Sequence, residues 1–144
     1  MAKRGPGVTR DAVLDASIAL GWLLGDERND GVMQLADKVQ DDPNLRLAVP
    51  PMFWSEVANV LGVSVRRARL THEEALDGLA ALEALEIEEF DVPFPTCLTV
   101  AVEHGISVYD AQYMVLAQEL GGRLWTADSR LAVVARRAGI HVEP

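Results

Sequence analysis

The chain has 144 residues, of which 49% are hydrophobic, and a formal net charge of −9. That length suits one folded domain with a substantial core, and the composition is not that of a disordered chain. No apolar run approaches the roughly 20 residues that cross a bilayer, and we expect no signal peptide. The single cysteine, Cys97, excludes an internal disulfide and a cysteine-based zinc cluster. We therefore expect a cytoplasmic protein without membrane contact.

The amino-terminal part of the chain predicts a tail and then a buried strand. Residues 1–10 contain Gly5-Pro6-Gly7 and no apolar pattern, so we expect a flexible tail before a single domain over residues 11–144. The apolar run 12–14 predicts the first strand. Ser17 is expected to cap a short helix that Gly25 and Asp26 break.

The rest of the chain alternates between predicted helices and strands. Helices are predicted over residues 30–39, 52–69, 96–104, 109–120 and 129–138, and one more begins at a capping box formed by Thr71 and Glu74. Strands are predicted over residues 45–49, 123–125 and 140–142, with an acidic edge strand over 86–92. This alternation predicts an α/β domain of three layers, α/β/α, around a mainly parallel central sheet.

Four carboxylates stand at edges of these predicted elements. Asp15 follows the buried first strand, and ligands of parallel sheets gather at the carboxyl ends of strands. Glu56 lies on an apolar helix and shares its face with Asn59. Asp110 and Asp128 stand at helix starts, where capping or the helix dipole alone would explain an acid. Each residue alone has such a structural explanation.

Taken together, the four acids favour a metal site. Carboxylates that meet in one pocket repel each other unless a cation binds, and oxygen ligands suit magnesium or manganese better than zinc. Such a site can activate water for an in-line phosphoryl displacement. No other catalytic pattern has comparable support in the sequence. The histidines lack ligand spacing, and Cys97 and the tryptophans are assigned to the core or an interface. The residues concerned are His72, His104, His141, Trp22, Trp54 and Trp125.

The charge distribution leaves room for an RNA-binding face without requiring one. Phosphate affinity comes largely from lysine and arginine, so a net charge of −9 opposes nucleic-acid binding by simple electrostatics. A metal would neutralise part of that charge at the acid cluster. A local basic patch is formed by Arg66, Arg67 and Arg69.

Four stretches together resemble the PIN-domain family, specifically the VapC-type toxin ribonucleases of toxin–antitoxin pairs. These are residues 13–17 (VLDAS), 56–61 (EVANVL), 107–113 (SVYDAQY) and 124–131 (LWTADSRL). They fall in the order of the family and span nearly the whole chain after residue 10. The sequence departs from many relatives at Ser129, where a charged residue is common.

The resemblance implies a PIN-like domain that cleaves RNA endonucleolytically by a metal-activated water. It also implies a homodimer and a cognate antitoxin whose carboxyl-terminal segment covers the active site. Magnesium or manganese would bind in an acidic pocket of Asp15, Glu56, Asp110 and Asp128. Ser17, Asn59 and Thr126 would be supporting polar residues. The candidates for RNA contact are Arg66, Arg67, Arg69 and Arg130.

Two further interpretations remain beside the toxin ribonuclease. One is a catalytically silent PIN-like module that acts as a binding or regulatory partner, and the other is a PIN nuclease of RNA processing outside any toxin pair. The intact acidic set favours a nuclease, because a silent module has no need of four mutually repelling carboxylates.

Overall fold

A computed structural model describes residues 11–25 and 30–143. The tail expected over residues 1–10, Asp26 of the expected helix break and residue 144 lie outside the described residues. Within the described ranges the chain forms five strands and seven helices. The strands are β1 (Asp11–Leu14), β2 (Arg46–Val49), β3 (Glu88–Glu89), β4 (Arg123–Trp125) and β5 (Val142–Glu143). The helices are α1 (Ala16–Leu23), α2 (Asp30–Asp41), α3 (Met52–Arg66), α4 (His72–Glu83), α5 (Phe94–His104), α6 (Val108–Leu120) and α7 (Ser129–Arg137).

The strands form one sheet in the order β3-β2-β1-β4-β5, and every neighbouring pair is parallel. Ala12 of the central strand pairs with Leu47 on one side and with Arg123 on the other. All four residues of β1 are buried, as expected for a strand whose two faces are both covered. The predicted parallel sheet is confirmed.

Helices pack against each other in two groups, one on each face of the sheet. In one group, α1 contacts α2 and α3, and α3 contacts α4. In the other, α6 contacts β1, β4 and α5, while α7 packs against β5. Right-handed crossovers on the two sides of a central strand place their helices on opposite faces. The predicted α/β/α architecture is confirmed, and no helix in the described part of the chain is long and apolar enough to cross a membrane.

Two predicted boundaries are wrong because the backbone turns through the left-handed region. Ala68 has φ +57°, and the N–H groups of Arg69 and Leu70 turn back to the Ser64 carbonyl. Helix α3 therefore ends at residue 66 instead of residue 69. Glu86 has φ +56°, which separates α4 from an edge strand of only two exposed residues, where seven were expected.

Helix caps are partly as expected. The prediction that Ser17 caps α1 is wrong, because Asp15 is the cap, and its Oδ1 accepts the N–H of Ser17 at 3.1 Å. Ser107 caps α6 by accepting the N–H of Asp110 at 3.0 Å, which leaves the Asp110 carboxylate free of a capping role. Asp128 caps α7 as predicted.

The remaining differences are shifts of one or two residues. Helix α5 begins before Pro95, because a proline in the first turn lacks only an N–H that has no helical partner. Strand β5 begins at Val142, after the N–H of Ile140 closes on the Ala135 carbonyl at 3.0 Å. Cys97 is buried in the core, as predicted.

Candidate active site

The site is built where the carboxyl ends of two neighbouring strands meet. Leu14 of β1 pairs with Trp125 of β4, so the residues that follow, Asp15 and Thr126, lie side by side. The N–H of Asp15 continues the ladder by donating to the Trp125 carbonyl at 3.2 Å. Asp15 is only 6% exposed, and Thr126 is 3% exposed. A buried carboxylate in this position requires hydrogen-bond donors.

Two hydroxyls supply those donors. Ser17 Oγ donates to Asp15 Oδ1 at 2.5 Å and accepts the N–H of Ala127 at 2.8 Å. Thr126 Oγ1 donates to Asp15 Oδ2 at 2.5 Å and accepts the N–H of Asp128 at 3.0 Å. Each hydroxyl thus links one carboxylate oxygen to the backbone of the loop between β4 and α7. The structure brings two of the three predicted supporting residues, Ser17 and Thr126, into contact with Asp15.

Glu56 enters the site from the second turn of α3. Its Oε1 accepts a hydrogen bond of 2.5 Å from the hydroxyl of Tyr113 on α6. Asn59, predicted as a supporting residue, is exposed one turn further along α3. Among the described residues, no hydrogen bond joins Asn59 to the acids. The structure therefore brings Glu56, but not the Asn59 side chain, into the hydrogen-bonded part of the site.

The four acids share one electrostatic environment. Burial raises the pKa of Asp15, and the nearby charge of Asp128 raises it further, against the hydrogen bonds from Ser17 and Thr126. Burial also raises the pKa of Glu56, with added repulsion from Asp15 and Asp110. For Asp110, burial and then the charge of Asp128 raise the pKa. These mutual effects place the four carboxylates within reach of each other's charge.

The donor chemistry fits a hard divalent cation. The site offers carboxylate oxygens, which magnesium and manganese prefer, and burial and nearby negative charge raise the pKa of Asp15, Glu56 and Asp110, effects that a bound cation would oppose. Across residues 11–25 and 30–143, however, no group of three or more His, Cys, Asp or Glu side chains is arranged so that it could hold a metal ion. Like charges keep apart, and Asp15 and Asp128 direct oxygens to the caps of α1 and α7.

Of the predicted RNA contacts, the structure brings only Arg130 to the acids. Its charge acts on Asp110 and opposes the rise of that pKa. The patch at the end of α3 is exposed but remote, since Arg66 lies ten residues beyond Glu56, about 15 Å along the helix axis. Arg67 and Arg69 lie beyond the end of that helix.

Sequence reasoning missed the role of Tyr113. Its ring is 2% exposed, and burial together with the neighbouring carboxylates raises the pKa of its hydroxyl, which stays protonated as a donor. Two signals could have found it. Tyr113 lies three residues after Asp110 and so shares its helix face. A tyrosine in a buried position also needs a partner for its hydroxyl.

A cleft of about 340 Å³ opens beside the site. Its lining includes Thr126, Asp128 and Ser129 at the start of α7, Arg136 two turns further along the same face of that helix, and two more acids, Asp30 and Glu143. Arg136 is a second basic residue that sequence reasoning did not connect with the acids.

Comparisons with known proteins bear on the family and the fold. The sequence profile of the PIN domain family matches residues 12–137. The chain is 33% identical over 124 residues to ribonuclease VapC3 of Pyrobaculum aerophilum, a match that covers 83% of this chain and 91% of the relative. It is 32% identical over 120 residues to ribonuclease VapC9 of Mycobacterium tuberculosis, covering 83% of this chain and 87% of the relative. A crystal structure of a protein from Pyrobaculum aerophilum, PAE2754, superposes with a TM-score of 0.72 at 22% identity, over 93% of this chain and 84% of that chain.

Proposed function

Because this chain belongs to the PIN-domain family and, within it, to the VapC-type proteins, we propose that it is a metal-dependent endoribonuclease toxin of a toxin–antitoxin pair. The observation that carries the proposal is the shared environment of the acids. Burial and mutual repulsion raise the pKa values of Asp15, Glu56 and Asp110, while Asp128 stands exposed beside them. Such a pocket is suited to magnesium or manganese.

Each acid has a role that follows from its position. Asp15 is the rigid member, because Ser17 and Thr126 hold both of its oxygens. Glu56 and Asp110 approach from helices on opposite faces of the sheet, and Asp128 stands at the mouth. A bound divalent cation supplies a water of lowered pKa and positive charge against the phosphodiester. Asn59 could orient the scissile phosphate from the exposed face of α3.

RNA would enter through the cleft beside Asp128. Arg130 lies close enough to Asp110 to act on its pKa, and Arg136 lines the cleft. These two cations would attract the phosphates of RNA, although the cleft is also lined by the acids Asp30, Asp128 and Glu143. Arg66, Arg67 and Arg69 would contact RNA only beyond the scissile bond, because they lie at the far end of α3.

We propose two protein partners for this cytoplasmic toxin. The antitoxin would cover the acidic pocket with its carboxyl-terminal segment. A second copy of the chain would pack on the outer face of α5, where Phe94, Leu98 and Val102 are 57% to 74% exposed on successive turns. Residues 94–102 carry no charged side chain, so this face avoids the repulsion between two chains of net charge −9. Light scattering, which gives the molar mass in solution, tests the dimer. We expect wild type to be dimeric and Leu98→Asp to be monomeric.

The activity is tested by incubating purified protein with total RNA, with Mg²⁺ or Mn²⁺ and with chelator. We expect metal-dependent cutting that Asp110→Asn lowers by at least about a hundredfold, since the amide keeps the shape but loses the charge. Asp77→Asn is the matched control, because Asp77 is exposed on α4. Retained cutting by Asp110→Asn would contradict the proposed site.

Two outcomes favour the other interpretations. Metal binding measured by calorimetry, without cutting of any RNA pool, favours a silent PIN-like module. Cutting that no neighbouring antitoxin inhibits favours a nuclease of RNA processing outside a toxin pair.

A further inference from the structure

The hydroxyl of Tyr113 and the carboxylate of Glu56 form a contact between two helices of the site. Their hydrogen bond is 2.5 Å long and joins α6 to α3 across 57 residues of sequence. A hydroxyl that donates to a carboxylate makes a shorter and stronger bond than a neutral pair. With the tyrosine ring 2% exposed, the donor is fixed by its packing.

The hydrogen bond occupies one carboxylate oxygen of Glu56 and leaves the other oxygen without a donor among the described residues. Tyr113 donates to Oε1, and among the residues that the structure describes no donor reaches Oε2. The charges of Asp15 and Asp110 both act on Glu56, so its carboxylate lies within range of theirs. A carboxylate with one oxygen held by a buried donor has a restricted orientation.

We propose that Tyr113 is a positioning residue, which holds Glu56 through Oε1 so that Oε2 is available to the divalent cation of the acidic pocket. This inference rests on the proposed metal-dependent function. Donors of this kind fix the orientation of a ligand, and their removal commonly lowers metal affinity about 10- to 100-fold. Ser17 and Thr126 likewise restrict the orientation of Asp15, although there both carboxylate oxygens accept a hydrogen bond.

The test is Mn²⁺ binding by calorimetry to wild type, Tyr113→Phe and Tyr109→Phe. Tyr109 is the matched control, because it is 66% exposed on the same helix and loses the same hydroxyl. We expect Tyr113→Phe to weaken Mn²⁺ binding about 10- to 100-fold, and Tyr109→Phe to leave it unchanged. RNA cutting by Tyr113→Phe should recover at saturating Mn²⁺, which a damaged fold would not allow.

A double-mutant cycle with Glu56→Gln separates positioning from a purely structural role. If Tyr113 acts through Glu56, adding Tyr113→Phe to Glu56→Gln should cause no further loss of Mn²⁺ affinity. The inference would be overturned if Tyr113→Phe lowered Mn²⁺ affinity equally in wild type and in Glu56→Gln, or if it lowered the affinity in neither.

The binding measurement also separates this inference from the proposed function. If wild type binds Mn²⁺ but cuts no RNA, the ribonuclease proposal is refuted. The double-mutant cycle of Mn²⁺ affinity would still test the role of Tyr113. Wild type that binds no Mn²⁺ would overturn the inference itself.

Discussion

Thr126 Oγ1 donates a hydrogen bond to Asp15 Oδ2, although the two residues are 111 positions apart in the sequence. The same hydroxyl accepts the N–H of Asp128 at 3.0 Å. One threonine therefore connects the carboxyl end of β1 with the start of α7. The position of the buried carboxylate and the stability of this sheet edge depend on the same side chain.

Thr126→Val should destabilise the protein by about 1–3 kcal/mol, the usual range when a buried polar group loses its partner. Valine has nearly the same shape, but it can neither donate to Asp15 nor accept from Asp128. Urea unfolding of the metal-free protein measures the loss. Thr96→Val is the control, because Thr96 is exposed at the start of α5 and its replacement should stay within about 0.5 kcal/mol. Equal stability of both variants would refute the assigned role of the Thr126 hydroxyl.

Asp110→Asn should be more stable than wild type at neutral pH in the absence of metal. Burial and the charge of Asp128 raise the pKa of Asp110 in the folded state, so its ionisation costs more in the folded than in the unfolded chain. That penalty is complete above the raised pKa and absent below the ordinary value of 3.8. The advantage of the variant should therefore shrink as pH falls toward that value.

Denaturant unfolding between about pH 4 and about pH 8 with chelator checks the sign of this pH dependence. Added Mn²⁺ should reverse the order of stability, because a cation that binds only the folded state stabilises wild type by mass action. Asp77→Asn, which removes the same charge from an exposed position on α4, controls for net charge. A variant less stable than wild type at neutral pH without metal would contradict the repulsion inferred here.

The sequence was sufficient to predict the architecture and to name the four acids. The run 12–14 marks a buried strand, so the acid that follows it, Asp15, falls at the carboxyl edge of a parallel sheet. Asp128 lies three residues beyond the end of β4, at the same edge of the sheet. Local patterns of this kind depend only on neighbours in sequence, and the structure confirms the strands and helices that they predict.

Contacts between distant segments could not be predicted in this way. The partner of Glu56 is 57 residues away, and its identification requires knowledge of how α6 packs against the sheet. The ends of α3 and of the edge strand depend on positive φ angles at Ala68 and Glu86. Non-glycine residues rarely adopt that conformation, and neither alanine nor glutamate signals it.

Gly122→Ala should destabilise the protein by about 1–3 kcal/mol, as expected for overpacking. A Cβ at Gly122 would lie 2.9 Å from the carbonyl oxygen of Asp11, a backbone atom of β1 that cannot move aside easily. Gly25→Ala is the matched control, since no atom lies within 4 Å of the Cβ it would add. Thermal unfolding of both variants checks the prediction. If only Gly25→Ala lowered the thermal stability, β1 and β4 would not be in the described register.

Arg130→Gln should raise the KM for RNA more than it lowers kcat. Arg130 is exposed at the start of α7, and its charge reaches Asp110, so a phosphate that binds at Asp110 would also come within range of that charge. Loss of one phosphate contact should also reduce, by about one, the slope of the logarithm of the RNA-binding constant against the logarithm of salt concentration. Steady-state cleavage of one short RNA substrate, repeated over a range of salt concentrations, measures both effects.

Arg67→Gln is the control for Arg130→Gln, because it removes the same charge beyond the far end of α3. A short substrate that fills the acidic pocket cannot span the roughly 15 Å length of helix between Glu56 and that end without several more nucleotides. We therefore expect Arg67→Gln to leave KM nearly unchanged on a short substrate and to raise it only on a longer one. Equal effects of the two variants on the short substrate would mean that RNA is held by general electrostatics rather than by the residues beside the acids.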